Sequence, residues 1–170
     1  MRVAEAGDVP ALLALVESGF RGDSAKRGWT HEADLLGGQR TDAEALGAMI
    51  ADPQQTMLLL EEGDALLGCV SVADKGAGRA YLGMLTVSPD LQGAGLGRKL
   101  VDGAEAYARD VLGAAVMEMT VIKQRAELVA WYLRHGYADT GREEPFPLDD
   151  PRFGLPKRRD LVFVVLAKAL

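Results

Sequence analysis

At 170 residues, nearly half of them apolar and about a quarter charged, the chain has the length and composition of one globular domain with its own core, not of a disordered or fibrous segment. A net charge of −6 works against passive binding to nucleic acid or anionic lipid, whose phosphates are gripped by clustered Lys and Arg. Cys69 is alone, which rules out an internal disulfide, and with His31 and His135 as the only histidines no familiar His/Cys zinc spacing can be assembled.

The amino terminus carries Arg2, Glu5 and Asp8 with no long apolar run, so it does not read as a secretory signal, and the most apolar stretch, LVFVVLA from Leu161, is strand length. A soluble, cytoplasmic protein is expected. VPALLALVES reads as a helix with Leu12, Leu13, Leu15 and Val16 inward, Asp8 as its cap and Pro10 in its first turn. TDAEALGAMI starts a second helix, with Thr41 and Glu44 at capping-box spacing and Leu46, Met49 and Ile50 buried. The stretch between them, Gly19 to Arg40, is irregular.

The period then changes. TMLLLEE and ALLGCVSVA flank a turn at Gly63 and Asp64, and RAYLGMLTV follows a turn at Gly76 to Gly78, giving three consecutive antiparallel strands. Leu96, Leu100, Ala104, Tyr107 and Val111 recur at helical spacing. AVMEMTVI alternates as a strand, with Met117, Met119 and Val121 on one face and Val116, Glu118 and Thr120 on the other. RAELVAWYLRH is a helix stopped by Gly136, and strands GYADTGR and DLVFVVLAK close the chain around a Pro-rich loop, Glu144 to Arg159. In that loop the basic run Lys157, Arg158 and Arg159 is flanked by Asp149, Asp150 and Asp160, as a solvated loop would be. The element order predicts an α+β fold with a mixed sheet.

Gly93, Gly95 and Gly97 fall between a strand and a helix. Bare backbone there, joined to the unpaired amides and dipole of a first helical turn, suits the oxygens of a pyrophosphate. The loop lacks the Lys-Ser/Thr pair of a P-loop, and its G-x-G-x-G spacing after an antiparallel meander does not fit a dinucleotide-binding βαβ unit.

Gln92, Gly93, Gly95 and Gly97 match the Q/R-x-x-G-x-G/A signature of the GCN5-related N-acetyltransferases (GNAT), and AWYLRHGY is similar to their second block. The element order resembles that family along the whole chain, and GWTHEADLLGGQRT, QRAELVAWYLRHGYADTG and PFP look like a bacterial branch of it. The resemblance implies the acyl-CoA N-acyltransferase fold, a mostly antiparallel central sheet flanked by helices, in a single domain spanning 1–170. It implies acetyl-CoA as co-substrate and no metal. The CoA pyrophosphate would lie on the backbone of Gly93, Ala94, Gly95, Leu96, Gly97 and Arg98, beside Gln92, with the pantetheine arm pairing like a strand with Leu85 and Val87. Arg98 and Lys99 either reach a CoA phosphate or are plain solvated helix charges. Two departures stand out: Arg125 occupies a position where many relatives have Asn, and Gly83 and Met84 stand where some carry a glutamate base.

Acetyl transfer needs a neutral amine, a polarised thioester carbonyl and a proton for the leaving thiolate. At pH 7 an amine of pKa near 10.4 is neutral in only about one molecule in 2,500, a handicap of roughly 4.6 kcal/mol that a base relieves. Tyr132 is the candidate general acid, with packing against Leu128 and Trp131 as its plain alternative. A backbone amide near Leu85 to Val87 would hold the carbonyl oxygen. Glu118 is the candidate base, its alternatives being a solvent-facing side chain or a pair with Arg125. Glu32 and Asp34 lie in the segment expected to cover the acceptor, where Glu32 alternatively caps a short helix. Trp29, Glu32 and Arg40 are candidate acceptor-pocket residues, His31 and His135 are expected at the surface, and Cys69 is expected as a small buried strand residue. The acceptor would be a small-molecule or peptide amine, neither nucleic acid nor membrane taking part. A non-catalytic acyl-CoA sensor, an enzyme for longer acyl chains and a homodimeric assembly all stay open.

Overall fold

The computed structural model describes residues 1–170, the side chain of Arg152 excepted. The chain enters through β1 (Arg2–Val3), α1 (Val9–Phe20), α2 (Gly22–Ala25), β2 (Leu36–Gly37) and α3 (Ala43–Ala51). The meander β3 (Gln55–Glu62), β4 (Ala65–Asp74) and β5 (Arg79–Val87) follows, then α4 (Leu96–Asp110), β6 (Val116–Ile122), α5 (Ala126–Arg134), β7 (Ala138–Pro145), β8 (Leu155–Pro156) and β9 (Val162–Ala169). Seven strands make one sheet in the order β1-β3-β4-β5-β6-β9-β7, in which only β5 and β6 run parallel. This is the mixed, mostly antiparallel sheet with flanking helices that the sequence predicts. No helix among the described residues is long and apolar enough to cross a membrane.

Two apolar clusters sandwich the sheet. On one face α4 contributes Leu100, Val101, Ala104 and Ala108 against Val70, Leu82, Met117 and Met119, and Tyr132 and Tyr137 close the far side. On the other, Leu12, Val16 and Phe20 of α1 and Leu46 of α3 pack on Met57, Leu59 and Cys69. Leu12, Leu46 and Leu100 are 0% exposed, so truncating any one of them to Ala would cost about 2–5 kcal/mol. The alternation in β6 places Met117, Met119 and Val121 inward as predicted.

Several local expectations are corrected. Asp8 does not cap α1: it sits in helical φ/ψ at the end of a short 3-10 turn, and its carboxylate instead takes Arg2 at 2.7 and 2.8 Å and the Glu5 amide at 2.7 Å. Thr41 and Glu44 form no capping box, because Asp42 is the cap, accepting from the Ala45 amide at 2.8 Å, while the Arg40 and Thr41 amides donate to Glu17. Val111 lies past the end of α4 and is 63% exposed. The Pro-rich segment starts later than expected, since Glu144 and Pro145 belong to β7. It carries β8, which pairs with β2 and clips the supposedly irregular 19–40 segment to the carboxy-terminal half.

Candidate active site

β5 and β6 pair only from Arg79–Tyr81 to Val116–Glu118, and beyond that they separate. β6 keeps an unbroken register with β9, whereas the pairing of β5 with β4 is interrupted, so β5 is the strand that bends away. The cause is a bulge: Ser71 pairs with Gly83 and Cys69 with Thr86, leaving Met84 and Leu85 without partners in the ladder, and Met84 adopts a φ of +49°. An unmatched residue pair with one left-handed member bends its strand and sharpens the local twist. Near the apex the Tyr81 hydroxyl bridges the two strands, 2.6 Å from Thr120 Oγ1. A cavity of about 1410 Å³ occupies the gap and joins the α4 face of the sheet to the α1/α3 face, with Gly97 and Trp131 on one side and Phe20 and Met49 on the other.

At its α4 end lies the glycine loop. Gly93 and Gly95 have φ of +87° and +80°, and a Cβ on either would meet nothing within 4 Å. These residues are therefore glycine for the left-handed backbone, and the space above them is open. No side chain caps α4 and its first turn holds no acid. The first amide tied back within the helix is that of Lys99, to the Gly95 carbonyl at 3.1 Å, so those of Leu96, Gly97 and Arg98 have no intrahelical acceptor. Gln92 braces the loop from below, its amide nitrogen 3.4 Å from the Val87 carbonyl, and Gly28 lies against its side chain. Leu85, Val87, Gln92 and Arg98 line the cavity with the glycines; Ala94, Leu96 and Lys99 do not. Arg98 is exposed and 3.5 Å from Asp102, the solvated-charge alternative for that side chain.

Tyr132, from α5, is 5% exposed and lines the same cavity. Its ring stands edge-on to Trp131, centroids 5.0 Å apart, and 5.7 Å from Tyr137, so the packing alternative is real. Its hydroxyl nonetheless has no hydrogen-bond partner among the described residues. Burial pushes the phenol above its ordinary value, partly offset by the Arg125 charge, and it stays a neutral donor.

The pair with Arg125, one of the alternatives for Glu118, does not form. β6 points Glu118 toward Arg79 of β5 and Arg142 of β7, both of which donate to its Oε1, the latter at 2.6 Å. Arg125 sits past the end of β6, at the start of α5, and reaches Glu32 instead. Glu32 caps no helix: it is 9% exposed and held between Arg21 at 2.8 Å and Arg125 at 3.2 Å, and Arg125 also donates to Thr30 at 2.8 Å. Both arginines are at least as buried, 6% and 7% exposed. Trp29 is 48% exposed and lines the cavity, so it is no core residue. Arg40 lines it too, its guanidinium 5.1 Å from the centre of the Phe20 ring.

Asp34 stays outside, facing Lys26 and His31 at 3.9 Å. The histidines are half-buried, not superficial: His135 stacks on Trp131 at 4.0 Å and its Nδ1 lies 2.7 Å from the Trp131 carbonyl. Cys69 is fully buried, and burial pushes its thiol up to about 12, which fits an inert strand residue. Sequence reasoning missed Tyr81, Arg21 and the buried setting of Arg125. Tyr81 and Thr120 are legible as outward strand residues, but nothing local says that their strands are neighbours.

Residues 30–146 match the family model of the acetyltransferase (GNAT) domain. Among solved structures, a spermidine N-acetyltransferase chimera of the Vibrio cholerae and human enzymes superimposes with a TM-score of 0.72 at 17% identity, over 99% of this chain and 93% of that one. A putative acetyltransferase from Salmonella typhimurium, solved with acetyl-CoA, gives 0.71 at 21% identity over 99% and 92%. A ribosomal-protein-alanine N-acetyltransferase from Brucella melitensis gives 0.72 at 20% identity over 99% and 98%. No curated protein sequence matches the chain.

Proposed function

The chain belongs to the GNAT acetyltransferase family, and from that premise we propose that it moves an acetyl group from acetyl-CoA to an amine by direct attack in a ternary complex. The observation that carries the reading is the uncapped start of α4 beneath open left-handed glycines, at one end of a cavity whose wall holds the unengaged hydroxyl of Tyr132.

Acetyl-CoA supplies an activated acyl carbon and a thiolate leaving group. The amides of Leu96, Gly97 and Arg98, with the positive end of the α4 dipole, hold its diphosphate, and the low loop leaves room for the phosphates to approach. Leu85 and Val87, on the edge of β5 left unpaired where it parts from β6, offer backbone groups to the pantetheine amides, and an amide there supports the carbonyl oxygen as it gains charge. The acceptor enters from the α1/α3 face past Trp29 and Arg40. As the amine forms its bond to carbon and the carbon–sulfur bond breaks, the amine gives up a proton and the sulfur gains one. Tyr132 donates to the sulfur. Glu118, with Oε1 engaged by two arginines, receives the amine's proton through Oε2, directly or by way of water. The products are an amide and CoA thiol.

Calorimetry with acetyl-CoA and thiol release over a library of amines test the proposal. Micromolar binding with amine-dependent release is expected. Binding without release for any amine would point to a sensor, and no binding would overturn the loop assignment.

A further inference from the structure

All four phenylalanines of the chain line the cavity, and the fold gathers them toward its acceptor end. Phe20 ends α1, and beside it Arg21 donates to the Phe153 carbonyl at 3.4 Å. Phe163 of β9 and Phe146, just past β7, stand ring to ring, with centroids 5.1 Å apart and planes tilted by 39°. Phe146 shares an apolar cluster with Leu36 of β2 and Ile122 of β6. The pairing of β8 with β2, two residues after Phe153, ties the carboxy-terminal loop to this side.

The sheet face beneath these rings is apolar as well. Val121 of β6 and Val164 and Leu166 of β9 point into the α4 core, so Ile122, Phe163 and Val165 project from the opposite face. On that face α1 and α3 pack over β3, β4 and β5, whereas these three residues border the cavity. A sheet face turned to water carries polar residues; this one suits an apolar occupant. Phe153 is 43% exposed and Trp29 48%, no other aromatic residue among the described residues is as exposed, and both line the same cavity.

Charge gives the acceptor no overall sign to match. Acids and bases line the cavity in equal number, and Glu32 and Glu118 are already engaged by arginines. What the acceptor walls offer instead is rings. An aromatic group meets them with edge and face contacts and, being rigid, loses little freedom there, whereas a flexible alkyl chain of similar area loses more.

We infer that the acceptor is an arylalkylamine: a primary amine joined by a short alkyl chain to an aromatic ring, which seats against Phe146, Phe153 and Phe163. The inference rests on the acetyl-transfer reading and narrows its substrate class.

The test compares 2-phenylethylamine and tryptamine with n-butylamine and spermidine, each with acetyl-CoA. It reads kcat/KM from thiol release, with acetyl-CoA binding measured by calorimetry on the same samples. All four acceptors carry a primary alkylamine, so the comparison isolates the ring. The two arylethylamines are expected to exceed the other two by at least about tenfold. Phe153→Ala, at an exposed position, is expected to cut the ratio of 2-phenylethylamine to n-butylamine about two- to tenfold with acetyl-CoA affinity unchanged. Phe163→Leu, which keeps apolar bulk and removes the ring, is expected to lower that ratio too. A smaller advantage of the arylethylamines, or none, overturns the inference, as does the full ratio retained in both variants. Release with none of the four amines, while acetyl-CoA binds, overturns it too and leaves the cofactor site standing. Failure of acetyl-CoA to bind strikes the underlying reading instead.

Discussion

Tyr132→Phe removes one oxygen and keeps the ring that packs edge-on to Trp131 and Tyr137. Because the hydroxyl has no partner among the described residues, its loss orphans nothing. Stability should stay within about 1 kcal/mol of wild type, roughly 2–4 °C in Tm for a chain of this size. Catalysis should respond differently, since donation to the departing sulfur is needed only as the carbon–sulfur bond breaks. kcat is expected to fall about ten- to a thousandfold, which is roughly 1.4–4.1 kcal/mol of barrier, with little change in acetyl-CoA affinity. Thermal unfolding, calorimetry and steady-state thiol release measure the three quantities separately. Turnover retained within about twofold refutes the donor role. A kcat loss accompanied by a Tm drop of more than about 5 °C would show that the hydroxyl works through packing.

Gly95→Asp adds a Cβ where nothing lies within 4 Å, so the cost to folding is the left-handed φ alone, about 1–2 kcal/mol, while a carboxylate now competes for the free amides of α4. Acetyl-CoA binding should vanish in a folded protein, and wild-type affinity by calorimetry would remove the diphosphate from this loop. Glu32→Ala leaves Arg21 and Arg125 facing each other without their shared carboxylate. A loss of about 3–5 kcal/mol is expected from urea denaturation, and a change under about 1 kcal/mol would show that the pair is solvated. The Arg2 bond, reinforced by the Glu5 amide, holds the Asp8 carboxyl down to about 2 from an ordinary 3.8. Its contribution is therefore complete above pH ~4 and is lost as the pH falls through about 2, and Asp8→Asn should flatten the stability profile across that window. Parallel profiles for the two proteins in acid denaturation would dismiss the contact.

What the sequence determined by itself is local. The turns at Gly63 and Gly76–Gly78, the alternation in β6, the apolar stripe of α4 as far as Tyr107 and the left-handed Gly93 and Gly95 before it are each set by a few neighbouring residues, and each stands where the pattern puts it. Gln92, Gly95 and Tyr132 could be singled out because a short motif keeps their order along the chain. Tertiary structure decided which distant residues meet. Glu32 finds Arg125 across 93 positions, Tyr81 finds Thr120 across 39, and the gap between β5 and β6 exists only because a parallel pairing starts and a bulge in β5 ends it. Arginine and glutamate carry no signal of partner in their spacing; their attraction acts through whatever geometry the packed sheet imposes. The partners of Glu32 and Glu118 were accordingly invisible until the sheet was assembled.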